Sequence, residues 1–195
     1  MKKIATLLIL FNSLLLSSQD LVDNLNKINI PDSLTFEKEI RIYHECSVIG
    51  EYDLFRMYLN NSGKWIIEKY IYSFYKQKKT YNHRIQLKQK NDPNLVWLRI
   101  LKTNILNLPN QSEFEYKIGT PKIEYFNGTP ELIHEVIIIN DGDSYQVKIR
   151  NKKEENEVFY DNPISYLKHY PKIDEFIYFS ELLNLIKNEF GIKIN

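Results

Sequence analysis

The sequence predicts an α+β protein, in which an antiparallel β-meander sheet of about six strands is covered by a C-terminal amphipathic helix and one or two shorter helices. Two observations carry this prediction. Four segments between residues 39 and 88 alternate between two sets of side chains and have short connections, as in a meander. Near the C-terminus, apolar residues recur at spacings of three and four, so a helix there would have one apolar face that a sheet must cover.

The predicted meander runs over residues 39–48, 52–59, 64–75 and 81–88. Residues two apart share a face of a strand. In the first strand one face therefore carries Ile40, Ile42, His44, Cys46 and Val48. Residues 133–140 and 145–150 are predicted to add a hairpin, because Asp-Gly between two apolar runs is a strong turn signal.

Three helices are predicted after the meander. Asp92 is a suitable N-cap and Pro93 a suitable first residue for one of them. Its apolar stripe is predicted to consist of Leu95, Leu98, Leu101 and Ile105. Residues 108–130, rich in Pro and Gly, are predicted to be loop with one short strand, and Asn162-Pro163 to begin a second helix. The C-terminal helix is predicted to present Phe176, Phe179, Leu183, Ile186 and Phe190 on one face and to end at Gly191.

The N-terminus has the pattern of a cleavable signal peptide. Lys2 and Lys3 precede a mostly apolar run over residues 4–16, and small polar residues follow. We expect cleavage after Ser18, which leaves residues 19–195 as a single exported domain, periplasmic or extracellular. Because the first cysteine is Cys46, far beyond the apolar run, we expect a soluble protein that is not a lipoprotein and has no stable membrane insertion after cleavage.

Charge and cysteine content exclude several classes of partner and of stabilisation. The formal net charge is +1, and cleavage would remove two lysines and leave −1, so no electrostatic feature favours nucleic acid. Cys46 is the single cysteine, so no intramolecular disulfide can form, and we expect its thiol to be buried. The oligomeric state is left open.

The sequence contains no recognisable catalytic or metal-binding motif. His44 and Cys46 share a strand face, but a structural zinc needs about four ligands, and the other histidines lie on separate elements. A Cys46 nucleophile lacks a surrounding motif. The acidic residues around Asp141-Gly142 fit a turn better than a calcium loop, which requires a terminal bidentate Glu. We therefore expect no metal and no cofactor, and no catalytic residue is assigned.

The third predicted strand has aromatic side chains on both faces. Trp65 lies on one face, whereas Tyr70 and Tyr72 lie on the other. Such a strand is either central and covered on both sides or presents an aromatic platform for a ligand. Trp65, Tyr70 and Tyr72 are the candidate ligand-binding residues.

These features favour a non-enzymatic exported module that binds a protein, peptide or glycan through a sheet face or edge. Two alternatives remain open: a secreted hydrolase with dispersed catalytic residues, and a structural or assembly component of a bacterial envelope. A polar pocket that gathers two or more of Glu45, Asp53, His83 and His134 would favour the hydrolase. A flat aromatic surface or an unprotected sheet edge would favour binding.

Overall fold

A computed structural model of the chain describes residues 30–46, 51–73, 83–139 and 142–192. The predicted signal peptide and its cleavage point lie outside these residues and stay predictions. The chain divides into two units, Met1–Thr35 and Phe36–Asn195. The described part of the first unit is a short irregular segment over residues 30–35. All helices and strands described below belong to the second unit.

The second unit contains a six-stranded antiparallel sheet and a separate two-stranded sheet. The strands are β1 (Lys38–Cys46), β2 (Glu51–Leu59), β3 (Trp65–Ser73), β4 (His83–Gln86), β5 (Thr120–Phe126), β6 (Thr129–Glu135), β7 (Asp143–Asn151) and β8 (Glu154–Asp161). The order in the large sheet is β4-β3-β2-β1-β7-β8. The predicted meander of four strands is therefore confirmed, and β7 and β8 extend it beyond β1.

Within the described residues, three α-helices accompany the sheet: α1 (Pro93–Lys102), α2 (Pro163–His169) and α3 (Asp174–Phe190). Their buried residues share one core with a single face of the sheet, to which alternate residues of the central strands contribute, among them Ile40 and Ile42 of β1 and Phe55 and Met57 of β2. The predicted α+β class with a C-terminal helix is confirmed.

The C-terminal helix α3 has the apolar face that its spacing predicts. Phe176, Phe179 and Ile186 are fully buried, and Leu183 and Phe190 nearly so. The ring of Phe179 stacks on that of Tyr160 in β8, with centroids 4.1 Å apart. The helix ends at Gly191, whose φ of 66° is the left-handed conformation that glycine adopts without strain.

Helix α1 begins as predicted but faces the core with other residues. The Asp92 side chain accepts hydrogen bonds from the backbone N–H groups of Asn94 (2.7 Å) and Leu95 (3.3 Å). The prediction that Leu95 and Leu98 face the core is wrong, because both are exposed and Leu98 by 62%. Val96, Trp97 and Ile100 are buried instead. The Trp97 ring packs against Trp65 of β3, and this large contact sets the rotation of the helix.

The segment between α1 and β7 differs most from the prediction. Residues 108–130 contain the one strand predicted there, β5, but the rest is more structured than the predicted loop, because it includes two 3₁₀ turns (Gln111–Glu113 and Glu115–Lys117) and the start of β6. The predicted hairpin of residues 133–140 with 145–150 is wrong: β6 pairs with β5, and β7 pairs with β1 and β8. Of the expected turn, Asp141-Gly142, the first residue lies outside the described residues.

Candidate functional site

The aromatic residues of β3 contribute to packing and to hydrogen bonds within the domain. The Trp65 indole packs at a tilt of 37° against Trp97, with ring centroids 5.3 Å apart, and donates its N–H to the side-chain oxygen of Asn94 at 3.0 Å. Tyr70 is 6% exposed, and its hydroxyl donates to Oε2 of Glu68 at 2.5 Å. Burial and this hydrogen bond to Glu68 raise the pKa of Tyr70 to about 12. The backbone of Tyr72 pairs with Tyr52, and its side chain lies outside the description. The ligand-binding role of these residues stays a prediction.

A cluster of ionisable groups surrounds His44 on the helix-covered face of the sheet. His44 Nε2 lies 2.8 Å from Oδ1 of Asp143 on β7, and Nδ1 lies 3.8 Å from Oδ2 of Asp53 on β2. Lys69 of β3 places its Nζ 2.8 Å from the same Asp53 oxygen. The imidazole stacks on Tyr145 at a centroid distance of 4.9 Å. Four strands thus contribute to one cluster of two cations and two carboxylates.

The surroundings of His44 favour its charged form. Burial opposes protonation, but the carboxylates of Asp53 and Asp143 outweigh it and raise the pKa of the imidazole. Nε2 is within hydrogen-bond distance of Asp143, whereas Nδ1 is buried, 3.8 Å from the Asp53 carboxylate, and has no hydrogen-bond partner in the described part of the chain. A general base needs a nitrogen that can accept a proton from the reacting group. The geometry fits a charge-balanced cross-strand contact better than a catalytic base.

The residues that would favour a hydrolase do not converge. Glu45 lies on the opposite face of β1 from His44 and accepts a hydrogen bond from the Tyr52 hydroxyl at 2.7 Å. His83 is in the same cross-strand row as Asp53 but two strands away, a distance of about 10 Å. His134 lies on β6, in the other sheet. Cys46 is half-buried at the end of β1, so its predicted burial is not complete.

The opposite face of the sheet contains a cross-strand ion network. Oε1 of Glu39 accepts hydrogen bonds from Nε of both Arg41 and Arg56, each at 2.8 Å. Glu68 of β3 pairs with Arg84 of β4. Glu39, Arg41 and Glu68 are almost fully buried. Buried charges are tolerated when they are paired and hydrogen-bonded, as these are. These pairs link β1 to β2 and β3 to β4, and Arg56 of β2 lies directly opposite Glu68 of β3 in the strand register.

The edge of the large sheet formed by β8 is covered by the side chains of Asn110 and Gln111. The backbone N–H of Phe159 on β8 donates to Oδ1 of Asn110, and that of Asp161 donates to Oε1 of Gln111, both at 2.9 Å. These outward-pointing donors would otherwise be available to a further strand. The polypeptide after α1 therefore protects β8 from pairing with another chain.

Strands β5 and β6 form a regular hairpin with a two-residue turn. Asn127 and Gly128 both have positive φ, 51° and 81°, as a type I′ turn requires. The strands pair along their whole length, from Phe126 opposite Thr129 to Thr120 opposite Glu135. Among the described elements, β5 and β6 contact chiefly each other. An isolated two-stranded hairpin is only marginally stable in water, so this element lacks the packing that stabilises the large sheet.

The two faces of the hairpin differ in chemistry. Three facing pairs form an uncharged, mostly apolar face: Pro121 with His134, Ile123 with Leu132, and Tyr125 with Pro130. The other face carries Lys122, Glu124, Glu131 and Glu135 together with Phe126 and Ile133. Glu124 and Ile133 are half-buried, whereas all six residues of the uncharged face are exposed. We call the six residues of the uncharged face the apolar face of the hairpin: Pro121, Ile123, Tyr125, Pro130, Leu132 and His134.

Exposed apolar side chains are concentrated around this hairpin. Of the twelve large apolar side chains exposed in the described part of the chain, eight lie between residues 116 and 138. Tyr125 is 73% exposed, Leu132 68% and Ile123 66%. Monomeric proteins rarely expose contiguous apolar patches of more than a few hundred Å², and larger patches often mark interaction sites.

Sequence reasoning missed this hairpin, although a signal for it exists. Asn127-Gly128 is a preferred type I′ turn pair, and the flanking residues alternate between apolar and polar. Pro121 and Pro130 concealed the pattern, since proline usually argues against a strand. Both occupy positions on edge strands, where the missing N–H is tolerated.

Comparison with protein-family models, curated proteins and solved structures gives no match. Within the described residues, no helix is both long and apolar enough to cross a membrane. The same residues contain no group of three or more His, Cys, Asp or Glu side chains arranged to hold a metal ion. The functional proposal therefore depends on the geometry of the chain itself.

Proposed function

We propose that this chain is a non-enzymatic exported protein that binds a partner protein through the apolar face of the β5–β6 hairpin. The observation that carries the proposal is the exposure of Ile123, Tyr125 and Leu132 on one side of a hairpin with little other support. Burying such a face removes apolar area from water and stabilises both the contact and the hairpin. Export follows from the predicted signal peptide.

The chemistry of the face favours a protein partner over a glycan or a membrane. Sugar recognition needs hydrogen-bonding groups beside an aromatic ring, whereas the polar groups of this face, on Tyr125 and His134, lie at its opposite ends, separated by the Ile123–Leu132 pair. Glu124, Glu131 and Glu135 on the same hairpin would be repelled by anionic lipid head groups. Envelope assembly, one of the alternatives from the sequence, would use the same contact.

The hairpin favours docking by its face over pairing by its edge. The pair that closes a two-residue turn is hydrogen-bonded, so Tyr125 with Pro130 and Pro121 with His134 are non-hydrogen-bonded pairs. Residues at such pairs direct their N–H groups outward. Because Pro121 and Pro130 lack this donor, each free edge is missing one hydrogen bond for an added strand.

Site-specific photo-crosslinking in the producing cell tests the proposal. A photoreactive residue replaces Ile123, on the apolar face, and in a matched control it replaces the neighbouring Lys122, on the other face. We expect one discrete protein adduct from position 123 and none from position 122. Adding Leu132→Lys should abolish the adduct, because it places a charge in the contact, whereas Glu131→Lys on the other face should leave it.

The absence of any discrete adduct from position 123 would refute the proposal. Equal adducts from positions 122 and 123, or an adduct insensitive to Leu132→Lys, would also refute it, because a contact made by the apolar face must depend on that face.

A further inference from the structure

We infer that helix α1 and the β7–β8 turn dock the domain on an anionic phospholipid membrane. The surface concerned is the exposed part of residues 87–102 and of residues 151–154, and we call it the basic surface. It shares no residue with the apolar face of the hairpin, so the inference goes beyond the function proposed above and does not depend on it.

The two segments of the basic surface are joined by a direct contact. Strand β7 ends at Asn151 and β8 begins at Glu154, so a two-residue turn connects them. The indole N–H of Trp97 in α1 donates to Oδ1 of Asn151 at 3.3 Å. Helix α1 therefore lies beside this turn.

The exposed charges of the basic surface are mostly positive. The only exposed carboxylates in its two segments are Asp92, which caps α1, and Glu154. Glu189, which contacts residues 90 and 91, is only 4% exposed. Among the described residues no ion pair neutralises any of the exposed cations of this surface, which are Lys88, Lys90, Arg99, Lys102, Lys152 and Lys153. The formal net charge of +1 for the whole chain conceals this local excess.

Helix α1 presents two exposed leucines among these cations. Leu95 is 42% exposed and Leu98 62%. Arg99 follows Leu95 by four positions and Lys102 follows Leu98 by four, so all four residues lie on the outward side of the helix. At a membrane surface the leucines can reach the boundary of the acyl chains, while the longer Lys and Arg side chains extend to the head groups.

This chemistry favours a lipid surface over an acidic protein or a nucleic acid. Specific recognition of a carboxylate or phosphate commonly uses arginines held in a bidentate geometry. Here five of the six cations are lysines, which act as point charges, and they come from two separate segments. A fluid layer of anionic head groups needs no fixed geometry, and its apolar interior accommodates the leucines, which a polyanion in water does not.

Co-sedimentation of the purified protein with lipid vesicles tests the inference. One set of vesicles contains phosphatidylcholine with about 30% phosphatidylglycerol, and the matched set contains phosphatidylcholine alone. Each Lys or Arg near an anionic membrane strengthens binding about fivefold, so we expect binding to the anionic vesicles to be tighter by about a hundredfold or more at low salt. Binding should weaken as the salt concentration rises to about 0.5 M, because salt screens the charges.

Charge variants locate the contact. Joint replacement Lys152→Asn and Lys153→Gln should weaken binding to the anionic vesicles about 25-fold. Asparagine tolerates the left-handed conformation of Lys152, whose φ is 61°, so the turn is preserved. The matched control is Lys168→Gln with Lys172→Gln, two exposed lysines outside the basic surface, and its binding should stay within about threefold of wild type.

An uncharged substitution tests the apolar part of the contact. Leu98→Gln leaves the charge unchanged and should weaken binding about fivefold or more, because it removes the apolar area that enters the membrane. Tyr178→Gln, at an exposed position of α3, is the matched control and should have no effect on binding. Far-ultraviolet circular dichroism checks that all variants fold.

Several outcomes would overturn the inference. They are the absence of binding to anionic vesicles at low salt, equal binding to both sets of vesicles, and equal losses in the variants and their controls. Polyglutamate and duplex DNA serve as soluble polyanions: if either binds as tightly as the anionic vesicles and Leu98→Gln has no effect, the surface recognises polyanions in water and not a membrane. Photo-crosslinking at position 123 is a separate measurement, so this inference and the proposed function can each fail alone.

Discussion

The side chain of Glu189 joins the C-terminal helix α3 to the segment that precedes α1. Its Oε1 accepts hydrogen bonds from the backbone N–H groups of Lys90 and Asn91, each at 2.6 Å. Its Oε2 accepts a third from Nδ2 of Asn91 at 2.7 Å. The residue is only 4% exposed. A single carboxylate thus satisfies three donors near the start of α1.

The substitution Glu189→Gln keeps the shape of this side chain and removes its charge. One amide oxygen can still accept from the two backbone N–H groups. The amide nitrogen, however, would face the NH₂ group of Asn91, and two donors cannot bond to each other. Hydrogen bonds to a charged group contribute about 1.5–3 kcal/mol and neutral ones about 0.5–1.5 kcal/mol. We expect the free energy of unfolding to fall by about 2–3 kcal/mol.

The loss should depend on pH. Burial opposes ionisation of Glu189, but the hydrogen bonds from Asn91 and Lys90 outweigh it and lower the pKa of the carboxylate. The ionised group therefore stabilises the folded state above the unfolded pKa of about 4.3, and this stabilisation is lost as the pH falls through the lower folded pKa. The difference between wild type and Glu189→Gln should be largest near neutral pH and should shrink in acid.

Urea unfolding monitored by circular dichroism measures both effects. The m-value should not change, so the shift in midpoint reports stability. Glu181→Gln on the exposed side of α3 is the matched control, and it should stay within about 0.5 kcal/mol of wild type. If Glu189→Gln behaves like Glu181→Gln, or if its effect does not change between neutral and acidic pH, the account of this contact is wrong.

Three further predictions concern other contacts. The pKa of His44 is raised, so its charged form stabilises the fold below the unfolded pKa of about 6.5, and this contribution is lost as the pH rises through the folded pKa. In urea unfolding, His44→Gln should therefore be most destabilised relative to wild type at acidic pH. A difference that does not change with pH would contradict this. Joint replacement of Asn110 and Gln111 by Ala should uncover the β8 edge, lower stability by about 1–3 kcal/mol and cause aggregation in light scattering, whereas Ser112→Ala should do neither. Phe179→Ala should cost about 3–5 kcal/mol in urea unfolding, and a loss below 1 kcal/mol would show that this ring is not central to the core.

The parts of the fold that follow from local periodicity could be predicted from the sequence. Alternation over β1 predicts its two faces, and the structure buries Ile40 and Ile42 on the helix-covered side. The spacing of Phe176, Phe179 and Ile186 predicts the buried face of α3. In both elements one face is clearly more apolar than the other, which decides the face that meets the helices, although Arg41 and Tyr43 on the other face of β1 are buried as well.

For other elements, the sequence allows more than one buried face or more than one strand partner. Helix α1 has apolar residues at two sets of positions, and the sequence gives no reason to prefer Trp97 over Leu98. The choice is made by the ring of Trp65, which α1 meets only in the folded domain. Likewise, residues around Ile133 could form a strand with either neighbour, and strand pairing depends on partners that propensity does not specify.

The candidate sites likewise depend partly on local sequence and partly on tertiary contacts. Local residue order supplied the turn pair and the alternation of β5 and β6, whereas their exposure depends on what else packs nearby. His44 and Asp143 are 99 positions apart, and only the pairing of β1 with β7 brings their side chains to 2.8 Å. No spacing rule within one element could identify such a pair.

The sequence by itself determined the α+β class, the meander and the apolar face of the C-terminal helix, because these follow from periodicities that a single element contains. Only the tertiary structure decided which side of α1 is buried, which carboxylates surround His44, and that the apolar face of β5–β6 remains uncovered. Burial is a property of what lies opposite a side chain, and for these residues the opposite surface comes from distant parts of the chain or, as we propose for the hairpin, from a partner protein.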